Sequence, residues 1–278
     1  DHPFFSMVPK KDGFTGSAHY YAIKYGNPQG ISAVFSTAQT NAASSKGHQL
    51  AASRKLKYGV ITLDGEAMAA CDDKGSMLDL VTQETDGVIE EMGDTLAWDL
   101  FQNGDGQRGR RSSASTNVIT LSVADHARNF KVGMSVVADD TATGASLRAG
   151  STTVTSVDED AGTVTLTSAA GITSFADNDY LFREGDVNGA CIEGMAAVFP
   201  LTAPASGDSW RGTDRSVHTR LLAGVRVDDT STAIEENIGL VATKIKQVGK
   251  SADVCFANPI NFWTVVRRLN AKVTYEAE

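Results

Sequence analysis

The sequence predicts an α+β protein in which a small all-β unit interrupts a chain of mixed helices and strands. Residues 112–185 carry short β-rich runs separated by Asp, Gly and Ala turns, with no helical period. Apolar residues at three- and four-residue spacing predict a long helix at 76–103 before this unit and a second helix at 234–248 after it. The chain has 278 residues, 41% of them hydrophobic, which is enough for two or three compact units.

The first 63 residues predict an N-terminal arm, 1–15, followed by an extended β-hairpin arm, 16–63. Alternating residues indicate strands at 19–25 and 56–63. Between them, the stretch 36–53 is rich in Ala, Ser, Thr and Gln and has few large apolar residues. Such a stretch cannot build a core of its own, so we expect it to be mobile unless a partner orders it.

Charge is sorted into two adjacent blocks of opposite sign. The chain up to Lys57 is basic, whereas residues 58–103 contain eleven acidic residues and a single lysine. These blocks predict that a basic arm lies on an acidic surface, in its own or a neighbouring copy. The residues expected to meet between copies are Arg54, Lys55 and Lys57 of the arm and Glu90 and Asp94 of the helix. The alternative is that both blocks are solvated surface.

Residues 64–111 hold the long helix. Ser76 and Asp79 can cap its start, and Gly104 can end it. At 1.5 Å per residue it would be about 40 Å long, which is unusual for a globular helix.

The all-β unit is predicted from four runs joined by turn residues, and its composition favours a small barrel or sandwich. The runs are Val118–Val123, Val132–Val137, Thr152–Val157 and Thr163–Thr167. After Gly185 a mixed pattern returns. Thr232 and Glu235 form a capping box for the helix at 234–248, a buried strand is expected at 254–257, and Asn258 with Pro259 begins a further helix.

Composition and motifs argue against several classes of protein. A net charge of −9 and a pI near 5.1 argue against a dedicated nucleic-acid binder. Cys71, Cys191 and Cys255 lack the spacing of a disulfide framework or a zinc site, and no apolar run approaches the roughly 20 residues that span a bilayer. The glycines of 104–109 match a dinucleotide-binding pattern but follow a helix rather than a strand.

The residue types that act in catalysis likewise do not occur at the spacings of known catalytic motifs. The five histidines are scattered, and the acidic pairs of the all-β unit lack the spacing of a calcium loop. We therefore predict no catalytic, cofactor or metal site, and no enzymatic activity.

Several segments together resemble the major capsid protein of tailed bacteriophages of the Hong-Kong-97 type. The run Tyr25-Gly-Asn-Pro-Gln-Gly30 resembles the proximal part of that family's extended loop, and 54–64 its return strand. The acidic helix ending in Leu100-Phe-Gln-Asn-Gly-Asp-Gly106 resembles the spine helix of its peripheral domain. Three further segments of this chain resemble runs that precede or lie within the axial domain of that family: Ile192–Pro200, Trp210–Ser216 and Asn258–Trp263.

The resemblance implies a Hong-Kong-97-type capsid fold, with a peripheral domain at 64–111, an inserted β-rich domain at 112–185 and an axial domain at 186–278. Family members continue from the axial domain through further strands, and this sequence ends at Glu278 before them.

The implied function is self-assembly into hexamers and pentamers of an icosahedral shell in the virion. The shell is assembled in the host cytoplasm and encloses double-stranded DNA without sequence-specific contact. Further partners would be decoration, scaffold and portal proteins, and no membrane is involved. The alternatives are an encapsulin-like nanocompartment shell protein and a secreted enzyme with an accessory β module.

Overall fold

A computed structural model describes residues 7, 10, 13, 16–63, 65–69, 74–227, 229 and 231–271. It mixes helices and strands and is loosely α+β. Most of the predicted N-terminal arm lies outside the described residues, as do the predicted capping side chains Ser76 and Asp79. Among the helices of the described residues, none is long and apolar enough to cross a membrane.

The chain falls into two compact units. The first contains Asp1–His19 and Ala52–Ala197, and the second contains Tyr20–Ala51 and Val198–Glu278. The first 70 residues contribute β1 (Ala18–Gly26), α1 (Phe35–Thr40), β2 (Lys46–Ser53) and α2 (Gly65–Ala69). They are followed by α3 (Lys74–Asp99), β3 (Gln107–Ser115), β4 (Val118–Leu121), β5 (Ser135–Asp139), β6 (Thr152–Asp158), β7 (Thr163–Leu166) and β8 (Tyr180–Arg183). The remaining elements are α4 (Met195–Val198), β9 (Ser209–Trp210), β10 (Thr213–Asp214), α5 (Thr219–Ala223), α6 (Ile234–Gln247) and α7 (Pro259–Ala271).

The first unit is centred on a closed antiparallel barrel with strand order β3-β4-β7-β6-β5-β8. Alternate residues of these strands point inward, and Ile119, Val136, Val154, Val164 and Leu181 are almost fully buried. A 3₁₀ turn at Ala124–Asn129 lies against the barrel and adds Ala127 to the core, and Phe130 and Met134 follow it. Each buried side chain of this size contributes about 1.5–3 kcal/mol. The barrel therefore holds most of the apolar core of the described chain.

The β-rich runs of the all-β unit are confirmed as strands, with ends shifted by a few residues. The first barrel strand, however, begins at Gln107, before the predicted start of this unit at residue 112. Its early residues are Arg and Gly rather than β-branched, so the sequence pattern did not mark them. Pairing with β8 places them in the sheet, with Arg110 opposite Tyr180.

The hairpin arm differs from its prediction. Its second strand is β2, at 46–53, and residues 54–63 belong to no strand. The stretch 36–53, which has no large apolar run, nevertheless contains most of α1 and all of β2. Leu50 of β2 is buried, which gives this strand an apolar anchor that the polar composition concealed.

The long helix is confirmed at Lys74–Asp99, 26 residues or about 39 Å. It ends four residues earlier than predicted. The carbonyls of Leu100 and Gln102 accept hydrogen bonds from the backbone N–H groups of Met195 and Gly194, at 2.7 and 3.0 Å. These bonds satisfy orphan carbonyls that follow the last helical turn.

Two predictions for the second unit are wrong and two are confirmed. The helix predicted at 234–248 is α6, Ile234–Gln247. The hydroxyl of Thr232 donates to Asp229 at 2.5 Å instead of capping α6, whose N-cap is Ala233. Residues 254–257 form no strand, because no described strand pairs with them. Asn258 does cap α7, and its side-chain oxygen accepts from the N–H of Ile260 at 3.0 Å.

Candidate functional site

A charge cluster in the first unit joins three segments that are distant in sequence. The ammonium of Lys57 lies 2.7 Å from Oδ2 of Asp99 and 3.1 Å from Oδ2 of Asp186. Lys57 belongs to residues 54–63, which we call the return segment because they leave the hairpin. Asp99 is the last residue of α3, and Asp186 follows the last barrel strand. One lysine therefore fastens the exit of the arm to the long helix and to the barrel.

Two further contacts hold the return segment. The ammonium of Lys55 donates to the carbonyl of Gly189. Gly59 lies against α3 so closely that an added Cβ would be 2.6 Å from Val88 and 2.8 Å from the sulfur of Met92. Only glycine fits here without displacing the helix side chains, and this close approach aligns the segment along α3.

The electrostatics of the cluster follow from burial. Asp99 is fully buried, and this raises its pKa above the ordinary value even though Lys57 opposes the shift. Partial burial alone would lower the pKa of Lys57, but the bond to Asp99 and the nearby charge of Asp186 outweigh it and raise that pKa. The lysine is thus held as a cation between two carboxylates.

Cys191 lies beside the same cluster and is fully buried. Burial, reinforced by the charges of Asp186 and Asp99, raises the pKa of its thiol to about 11. A thiol with such a pKa is almost entirely protonated near neutral pH and is a poor nucleophile. In the part of the chain that the structure describes, no group of three or more His, Cys, Asp or Glu could hold a metal ion.

A second set of contacts joins α3 to the barrel. Glu91 pairs with Arg183 and, at 2.8 Å, with Lys131, which also pairs with Asp94 at 2.5 Å. Burial alone would raise the pKa of Glu91, but hydrogen bonds from Lys131 and Arg183 lower it below its ordinary value.

A buried arginine completes this contact. The guanidinium of Arg108 stacks on Trp98 of α3 at 4.5 Å from the ring centre, and it donates to the carbonyl of Asn129 at 2.9 Å. The long helix is therefore fixed on the barrel by ion pairs and by one cation–π contact.

The structure gives three of the five predicted inter-subunit residues partners in their own chain. Lys55 and Lys57 bind Gly189, Asp99 and Asp186, and Asp94 binds Lys131. Arg54 and Glu90 are exposed. Within the described chain, no ion pair joins the three basic residues to Glu90 or Asp94.

The sequence did not reveal Asp99 and Asp186, the two carboxylates that bind Lys57, or Arg108, whose guanidinium lies 3.9 Å from Asp186. A signal for Asp99 was present, because an aspartate in the last turn of a helix opposes the helix dipole and calls for a cation nearby. The signal could not say which of the 25 lysines and arginines fills that place. Asp186 lies 129 residues from Lys57, and only the folding of the barrel brings the two together.

The second unit exposes large apolar side chains instead of burying them. Among its described residues, the buried hydrophobic ones are Leu50, Leu222 and Ala223. On α7, Phe262 and Trp263 are 63% and 65% exposed. Exposed residues elsewhere in this unit include Ile31, Val34 and Phe35 of the hairpin and Phe199, Leu201, Val217, Val254 and Phe256. Large contiguous apolar surfaces are typical of sites that contact another polypeptide.

Comparison with known proteins found no match: no family model, no curated protein and no solved structure matches this chain.

Proposed function

We propose that this protein is a major capsid protein. Its copies form the hexamers and pentamers of an icosahedral shell that encloses double-stranded DNA, and the protein resides in the virion. The proposal joins the resemblance to the Hong-Kong-97-type family with the surface chemistry of the chain.

The observation that carries the proposal is the exposed apolar surface of the second unit. A chain that functions as a monomer buries most of its large apolar side chains, because each one left exposed forgoes about 1.5–3 kcal/mol. Here Phe262, Trp263 and many others contact solvent, whereas the first unit has a filled barrel core. Assembly with further copies would cover this surface.

The hairpin arm supports the same conclusion. Its return segment is fixed by Lys57 and Gly59, while its outer part carries the exposed Ile31, Val34 and Phe35. Exposed apolar side chains on a hairpin are suited to bind a neighbouring copy.

The net charge of −9 suits a container for DNA. A shell wall that repels phosphates does not grip the genome and leaves it free to be packed and released.

The test is to purify the full chain and examine it by electron microscopy and light scattering. We expect closed shells or ring-shaped capsomers, with a particle mass many times that of one 29.4 kDa chain. A stable monomer at every concentration and salt condition would overturn the proposal. Purified particles that contain a cargo protein and no DNA would instead indicate the shell of a cellular compartment.

A further inference from the structure

A basic pocket lies in the second unit, at the C-terminal end of α6. Its volume is about 310 Å³, near the lower end of the range of small-molecule sites. Arg220 of α5, Arg226 and Lys244 of α6 line it, and Thr219 and Gln247 add a hydroxyl and an amide. None of the described residues that line this pocket is acidic. In a chain with a net charge of −9, three cations therefore surround one small cavity.

The turn after α5 brings two of these cations together. Gly224 ends α5 with a φ of +74°, and an added Cβ would lie 2.5 Å from the ring of Phe199, so this turn requires glycine. The ammonium of Lys244 donates to the carbonyl of Arg226 at 3.4 Å. The guanidinium of Arg226 in turn donates to the carbonyl of Thr202 at 2.9 Å. Backbone carbonyls thus hold two of the three cations in place.

The three cations use little of their hydrogen-bonding capacity. Arginine has five N–H donors and lysine has three. In the part of the chain that the structure describes, Arg226 and Lys244 each bind one uncharged carbonyl, and the side chain of Arg220 makes no hydrogen bond or ion pair. The Nε of Arg226 is buried without a hydrogen-bond partner. Neighbouring like charges repel one another, and an anion between them relieves that repulsion.

The end of α6 accounts for only part of this arrangement. A helix C-terminus carries partial negative charge, and Lys244 and Lys246 in the last turn compensate it. That explanation does not extend to Arg220 and Arg226, which lie outside α6 and line the same pocket. Guanidinium groups bind phosphate oxygens through pairs of parallel hydrogen bonds.

We propose that this pocket binds a small phosphate anion with more than one negative charge, of the kind found in pyrophosphate and in the phosphate chain of a nucleotide. Three cations balance several phosphate charges, whereas a single carboxylate would leave most of their charge unpaired. Among the described residues of the pocket none is aromatic, so we expect the phosphates to be recognised and not a base. The inference goes beyond the proposed function and does not depend on assembly.

The test is isothermal titration calorimetry of the full chain with sodium pyrophosphate, without magnesium and at an ionic strength fixed with sodium chloride. We expect one saturable site per chain, although the net charge of −9 repels anions in general. No saturable binding below about 1 mM overturns the inference.

Inorganic triphosphate and ATP are titrated in parallel and should bind with equal affinity. Binding of ATP without binding of triphosphate would overturn the inference, because the nucleoside would then be the part recognised. Tighter binding of tetraglutamate than of pyrophosphate would identify a carboxylate site and would also overturn it.

Arg220→Gln is the variant that locates the site. Arg220 is exposed and its side chain has no partner in the described chain, so the variant should melt as wild type does. We expect it to weaken pyrophosphate binding about tenfold, which corresponds to about 1.4 kcal/mol. Arg226→Lys keeps the charge but loses the planar fork, and it should weaken binding less than Arg226→Gln. Lys24→Gln, at an exposed site in the same unit, is the matched control and should bind as wild type does. Equal weakening by Arg220→Gln and Lys24→Gln would mean diffuse charge attraction and no pocket site.

Discussion

The three charged side chains of the Lys57 cluster show how strongly one residue can depend on another. Asp99 lost its hydration on folding, and Lys57 is the cation that lies within hydrogen-bonding distance of it. A buried pair of this kind adds little net stability when intact, but the loss of one partner leaves an uncompensated charge. Lys57 is therefore expected to be necessary for the fold of the first unit, whatever its role between copies.

The first prediction is that Lys57→Met destabilises the first unit by about 3 kcal/mol, because it strands Asp99 without a counter-charge. The double variant Lys57→Met with Asp99→Leu should recover much of this loss, since neither charge remains. Chemical denaturation followed by circular dichroism measures both. Lys24→Gln, at an exposed site of the hairpin, is the matched control and should change stability by less than about 0.5 kcal/mol. Equal losses at Lys24 and Lys57 would contradict the role of the cluster.

The second prediction concerns pH. The pKa of Glu91 is lowered in the folded state, so its ion pairs stabilise the fold above the ordinary carboxyl pKa, and this contribution fades as the pH falls through the lowered value. Glu91→Gln should thus melt below wild type near pH 7, and the gap should shrink toward about pH 3. The exposed neighbour Glu90→Gln is the control, for which we expect a small difference at both pH values. A gap for Glu91→Gln that does not depend on pH would show that its ion pairs contribute nothing.

At the level of single residues, the sequence predicted the correct kinds of contact but not their partners. Opposite charge blocks indicated that the basic arm meets acidic residues, and Lys57 does so in its own chain. Composition cannot distinguish contacts within a chain from contacts between copies, because the same charges serve both. Arg54 and Glu90 remain predicted inter-subunit residues.

Among the elements, the barrel strands and the long helix were predictable because each has a regular local pattern. The second hairpin strand was not. Residues 56–63 alternate as a strand does, yet Lys57 and Gly59 lie against α3, and the backbone there has no neighbour with which to pair. The sequence KGHQLAAS of β2 looks polar, and its pairing with β1 makes it a strand. A strand depends on its partner, which a local pattern cannot supply.

The third prediction uses two glycines near α3. A Cβ at Gly194 would lie 2.3 Å from the carbonyl oxygens of Asp99 and Leu100, so Gly194→Ala must displace backbone and should cost about 1–3 kcal/mol. Gly93, within α3, has nothing near its missing Cβ. Gly93→Ala should therefore stabilise the chain by up to about 1 kcal/mol. Thermal melts of the two variants should move in opposite directions. Melting temperatures that change in the same direction in both variants would refute the close approach at Gly194.

The fourth prediction is that residues 104–191 fold alone into the barrel. This range contains all six strands and the backbone bond from the N–H of Cys191 to the carbonyl of Gly104. The shorter fragment 112–185 lacks half of β3, which opens the barrel. We expect a cooperative thermal transition for the fragment 104–191 and not for the fragment 112–185. If 112–185 melts as cooperatively, the residues of β3 before 112 are not needed for closure.

On the scale of the whole molecule, apolar side chains are distributed unevenly. The first unit fills a barrel core with apolar side chains, whereas the buried hydrophobic residues among the described part of the second unit are Leu50, Leu222 and Ala223. A composition of 41% hydrophobic residues predicted a protein able to form a core. It could not show that many of these hydrophobic side chains lie outside the core. Helical periodicity located Phe262 and Trp263 on one helix without revealing which surface they face.

The fifth prediction is that Phe262→Ser with Trp263→Ser abolishes assembly while the melting of the first unit is unchanged. Both side chains are exposed, so their loss costs the isolated chain little and the assembled state much. The measurements are light scattering for particle size and a thermal melt for the fold. Val132→Ser, an equally exposed apolar residue on the barrel, is the control and should assemble as wild type does. Normal particles from the double variant would mean that α7 does not contribute to the interface.

The pairing of β3 with β8 has an evolutionary consequence. The chain leaves the barrel beside the point where it entered, and Gly104 and Cys191 are joined by a 3.1 Å hydrogen bond. The two chain segments that flank the barrel are as close together as the ends of a tight turn, although nearly ninety residues lie between them. Inserting these residues therefore adds almost no loop-closure entropy to the folding of the flanking chain. A recombination event that swaps this module for another with equally close ends leaves the path of the host chain unaltered. The site is thus a natural position for the gain, loss or exchange of entire domains.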